Sequence, residues 1–136
     1  MKALLTLMAV LEASVGLALL ASPALPVSIF LGAPFDTPTG LTVGRVAGAA
    51  LLALGVACWC ARADGGSRSA IGVVTSMIFY NILVVAVLLY GQLGLGIKGI
   101  GVRAAIFLHV VLAVWCITCV VGPVNPTNAE TPVRRT

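Results

Sequence analysis

Four uninterrupted apolar runs, residues 3–21, 41–61, 70–90 and 102–121, limit what this chain can fold into more than any other feature. Each holds about 20 residues. At a helical rise of about 1.5 Å per residue that spans about 30 Å, the thickness of a bilayer's hydrocarbon core. In lipid every backbone N–H and C=O must be satisfied within the protein, which a helix does inside its own segment. The alternating ten-residue strands of a membrane β-barrel are not seen. Composition agrees, because only 9% of residues are charged where a soluble domain carries about 25%. The expected fold is all-α: a transmembrane four-helix up-down bundle formed by residues 1–122, followed by a disordered cytoplasmic tail at 123–136. The lipid bilayer is the first partner this implies. The net charge of +4 comes from basic residues scattered singly at segment ends, with no stripe, and so does not point to nucleic acid.

Lys2 ahead of an apolar stretch has the form of a secretory signal. The length of the run and Glu12 at its middle instead predict a retained first helix. With a cytoplasmic N-terminus, Lys2, Arg62, Arg68, Arg134 and Arg135 fall on one side and Arg45, Lys98 and Arg103 on the other. Five against three favours both termini inside. Between the third and fourth runs, the five glycines from Gly91 to Gly101 predict a tight, semi-apolar turn. Between the first and second, Pro23, Pro26, Pro34 and Pro38 surround Val27, Ser28, Ile29, Phe30 and Leu31. That segment reads as a short interfacial or re-entrant helix capping the outer face of the bundle, or as an ordinary extended loop.

Lipid removes most of the hydrophobic drive between helices, so small residues that let backbones approach carry much of the packing. Gly40, Gly44 and Gly48 recur every four residues on the second span, and Gly55 follows. The first span offers Ala9, Ala13 and Gly16, and the two spans are expected to meet closely on these faces. Gly44, Gly48 and Gly55 are therefore read as packing positions, with dimerisation as the lesser alternative.

Each span also carries a polar residue of note: Glu12, Arg45, Asn81 beside Tyr80, and His109. An ionisable side chain in mid-bilayer costs about 2.5–3.5 kcal/mol on insertion scales and marks a candidate functional site. Glu12, Arg45, Asn81 and His109 are expected to converge in the outer half of the bundle, with Tyr80 beside Asn81 as a further candidate, as a ligand site or as a network that fixes helix register. His109 is the chain's one histidine, so bis-histidine haem ligation within the chain is ruled out. Cys116 and Cys119, spaced C-x-x-C near the end of the fourth span, form a candidate redox pair. Such a pair near a helix end is similar to that of the vitamin K epoxide reductases, which are four-helix membrane enzymes. The similarity is confined to those two residues, and no second pair occupies the long outer loop.

Leu11-Glu12-Ala13 with Gly16, Pro23 after the first helix, Arg45 ahead of Gly48 and the run from Ala50 to Gly55, and Tyr80-Asn81 together resemble small bacterial DoxX-like membrane proteins. This resemblance covers most of the chain. It implies an inner-membrane location and hints at redox or membrane-stress roles. Small multidrug exporters are similar in having four helices and one glutamate in the first, here Glu12, but their aromatic and glycine pattern in the third helix is missing. The expected function is non-catalytic: an accessory protein that binds a membrane partner, a second copy of itself or an apolar small molecule, with no cofactor and no metal. A thiol–quinone redox protein using Cys116 and Cys119, and a proton-coupled exporter using Glu12, are the alternatives.

Overall fold

In the computed structural model, residues 1–122 are described, and the expected tail at 123–136 lies outside them. Five helices follow in order: α1 (Lys2–Ala21), α2 (Ala24–Leu31), α3 (Pro38–Ala61), α4 (Arg68–Leu93) and α5 (Ile100–Val121). Four of them, α1, α3, α4 and α5, are long and apolar enough to cross a membrane. They form a four-helix bundle, and the chain is a multi-pass membrane protein. The segment at Val27–Leu31 belongs to the short helix α2.

α3 and α4 begin earlier than the apolar runs because side-chain caps set their first turns. Thr37 Oγ1 accepts the Gly40 N–H at 3.1 Å, and Pro38 fills the first helical position of α3. Ser67 Oγ accepts the Ala70 N–H at 3.0 Å and starts α4. At its far end α4 runs through Gly91 to Leu93, so the glycine-rich turn is shorter than its sequence suggests. Gly32 closes α2 in the left-handed conformation at φ 70°.

Several serine and threonine hydroxyls on the spans are satisfied within their own helices. Ser14 donates to the Val10 carbonyl at 2.7 Å, Thr75 to Ile71 at 2.9 Å and Ser76 to Gly72 at 3.0 Å. This back-bonding makes a hydroxyl tolerable on a lipid-facing surface. Large apolar side chains such as Val46, Phe79, Leu83, Val87 and Phe107 are exposed on the outside of the bundle, where acyl chains would meet them.

The bundle is assembled from two closely packed pairs, α1 with α3 and α4 with α5. In the first, the backbones touch. A Cβ added to Gly16 would stand 2.7 Å from the Gly48 carbonyl oxygen, and one added to Gly55 would stand 2.9 Å from the Ala13 nitrogen. Gly44 meets Pro23 and Phe35 instead. At the end of the bundle that holds the start of α1 and the end of α5, the two pairs join in a dry plug. Leu4, Leu5 and Met8 of α1, Cys58 of α3, Val74 and Met77 of α4, and Cys116 of α5 are all fully buried there. We refer to this as the closed end. Arg62, at the closed end of α3, lays its guanidinium 3.4 Å from the Trp59 ring centroid, a cation–π contact suited to an interfacial depth.

At the opposite end α2 is seated on the start of α5. A Cβ on Gly99 would run into the Phe30 carbonyl oxygen, and one on Gly101 would stand 2.6 Å from Phe30 Cδ1. Overpacking of this kind costs about 1–3 kcal/mol. Gly99→Ala is therefore expected to lift α2, with amide exchange at Ile29–Gly32 at least about tenfold faster than in the parent protein. Unchanged exchange would show that α2 is not held by this contact.

Candidate functional site

Three of the spanning helices send polar side chains into the seam between the two pairs. The chain of contacts starts on α4. Asn81 is fully buried, and its Nδ2 donates to the Met77 carbonyl one turn back at 2.7 Å. A carbonyl only accepts, so this bond fixes which end of the amide points where. The other end, Oδ1, lies 2.8 Å from His109 Nδ1 on α5. Since Oδ1 is an acceptor, Nδ1 must carry the proton and donate. In the neutral ring Nε2 is then a lone-pair acceptor.

The His109 ring stands edge-on to Tyr80, with centroids 5.8 Å apart and planes at 79°, the favoured T-shaped arrangement. The Tyr80 hydroxyl crosses the seam to α1 and donates to Glu12 Oε2 at 3.2 Å. Glu12 is 5% exposed. The Tyr80–Glu12 bond thus ties the α4–α5 pair to α1, while the Asn81–His109 bond lies within the α4–α5 pair.

Three of the four residues expected to converge, Glu12, Asn81 and His109, are joined in this sequence of contacts, and Tyr80 links Glu12 to the other two. Arg45 is not among them. It is exposed on α3, and no ion pair forms at Glu12 among the described residues. The reason is rotational: α3 turns Gly48 and Gly55 toward α1, and Glu12 leaves α1 on the side facing α4.

Beside these groups lies a cavity of about 440 Å³, within the size range of small-molecule pockets. Glu12, Tyr80 and His109 supply its polar wall, and the rest is apolar. Val15 and Leu19 of α1, Val84 and Leu88 of α4, and Leu108 of α5 form the sides. Val27 and Phe30 of α2 close the end away from the plug. No pattern in the sequence marks this space directly. Its one indirect signal was the apolar segment between prolines that becomes α2.

The cysteines sit elsewhere. Cys116 is buried in the plug, 3.8 Å from the Met8 sulfur, Cys119 is half-buried, and both thiols are free. Cys58 is buried and Cys60 exposed, and both are free as well. Among the described residues no group of three or more His, Cys, Asp and Glu side chains could hold a metal ion. In comparisons with protein families, curated proteins and solved structures, nothing matches this chain.

Proposed function

We propose that the protein is a binding protein of the bacterial inner membrane that takes an apolar small molecule with a polar head into the seam between its helix pairs. The observation that carries this reading is the cavity of about 440 Å³ with apolar sides and three convergent polar groups, Glu12, Tyr80 and His109. Such a space suits a ligand already dissolved in lipid: the apolar walls match its body, and the few polar groups orient its head. Tyr80 is bonded to Glu12 and His109 to Asn81, and the groups need no metal or nucleophile for this task. The resemblance to DoxX-like proteins and the five-to-three distribution of basic residues support the location, with both termini in the cytoplasm. An exporter working through Glu12 would use this same cavity, whereas a redox role for Cys116 and Cys119 would act from the plug.

A fatty alcohol carrying a diazirine tests the reading. In phosphatidylcholine nanodiscs, illumination is expected to label α4 and α5 at Val84, Leu88 and Leu108, as located by peptide mass spectrometry. Leu108→Trp fills part of the cavity and should reduce that labelling at least about fivefold, while labelling of lipid-facing Val46 and Phe107 stays constant. Labelling that is uniform over the lipid-facing surface, and indifferent to Leu108→Trp, would refute a binding cavity.

A further inference from the structure

The polar wall of the cavity has a definite hydrogen-bonding sense, and that sense selects a class of ligand. Tyr80 donates to Glu12, so its proton is already committed. His109 uses its Nδ1–H on Asn81, whose amide is held in register by the Met77 carbonyl. With Glu12 ionised, what remains for a guest is acceptor capacity: the Glu12 carboxylate oxygens and His109 Nε2. A carbonyl or carboxylate head would bring more acceptors and find no free donor.

Charge narrows the class further. Glu12 is nine-tenths buried, faces the cavity, and has no basic partner among the described residues, since Arg45 is exposed on α3. An acidic group removed from water is stabilised strongly by a cation that reaches it. Three N–H donors on one ammonium also match two acceptors in the same wall.

Resting on the binding reading above, we propose that the ligand is a lipophilic amine: an apolar body lying between α1, α4 and α5, with a protonated nitrogen bonded to Glu12 and His109 Nε2 as its second acceptor. Phe30 and Val27 of α2 cover the end of the body.

Two photoreactive probes of equal length, a diazirine alkylamine and the diazirine alkanol used above, test this in nanodiscs of zwitterionic phosphatidylcholine. The quantity read is the ratio of amine to alkanol labelling within the cavity, compared between the parent protein and Glu12→Gln. Comparing proteins in the same bilayer cancels the probes' different partitioning into lipid. The parent is expected to favour the amine, and Glu12→Gln to lower the ratio at least about tenfold, as for loss of a charged hydrogen bond. Glutamine keeps an acceptor for Tyr80, and alkanol labelling of the variant reports that its cavity is intact. An unchanged ratio with the alkanol still bound overturns the amine assignment and leaves the binding cavity standing. If neither probe labels the cavity of the parent, the binding reading itself fails. If Glu12→Gln loses alkanol labelling as well, Glu12→Asp decides: a preserved cavity with the amine preference retained supports the assignment, and one without it overturns it.

Discussion

Gly48→Leu is expected to destabilise the bundle by more than about 3 kcal/mol, beyond the usual cost of overpacking. A Cβ at residue 48 would lie 2.8 Å from the Gly16 carbonyl oxygen and 2.9 Å from the Leu20 nitrogen. These are backbone atoms of α1, and they cannot swing aside as a side-chain terminus could. The helices would have to separate along their length, and the contacts at Gly16, Ala13 and Gly55 would loosen together. In lipid that dispersion is a principal source of helix association, because water does not drive the helices back together. The same substitution at Gly72 is the matched control, since a Cβ there meets nothing within 4 Å. Gly72→Leu should be neutral or slightly stabilising, because leucine favours a helix over glycine. Unfolding titrations in SDS from mild detergent would separate the two. Equal midpoints for both variants would show that the α1–α3 approach contributes little.

The four spans were legible because length and apolarity are one-dimensional properties, set by bilayer thickness. Their ends were less so. Thr37 and Ser67 start α3 and α4 by capping, and neither lies in an apolar run. The glycine spacing on α3 pointed to a close approach but could not tell which residue meets which partner. Gly48 and Gly55 face α1, while Gly44, on the same four-residue spacing, packs on Pro23 and Phe35.

Polar residues were visible one by one for the same reason: each interrupts an apolar run. How they pair depends on the rotation of each helix about its own axis, which periodicity in an almost wholly apolar span does not record. Arg45 shows the result. Its depth suited a contact with Glu12, yet it is exposed on α3 while Tyr80 reaches Glu12 from α4. The cavity was the least legible feature, because empty space is made by all its walls at once. Val27 and Phe30 close it only because Gly99 and Gly101 let α2 settle on α5.

Asn81→Leu is expected to change the chemistry of the cavity without filling it. Asparagine accepts from His109 Nδ1–H and donates to the Met77 carbonyl. Leucine does neither, and a buried imidazole N–H left without a partner costs about 1–3 kcal/mol. The ring lines the cavity and can relieve part of that cost by moving its proton to Nε2. The acceptor offered to a guest would then become a donor. The chain has one histidine, so protein labelled with ¹⁵N-histidine gives one pair of ring nitrogen signals and reads the tautomer directly. The parent should show a protonated Nδ1 and a bare Nε2, and Asn81→Leu a population with the proton on Nε2. Asn81→Asp as the neutral acid, with its O–H toward the Met77 carbonyl and its other oxygen facing Nδ1, should keep the parent tautomer, which separates loss of this bond from general loosening of the bundle. A parent spectrum with the proton on Nε2 would reverse the sense of the polar wall, and the cavity would then suit a guest that accepts.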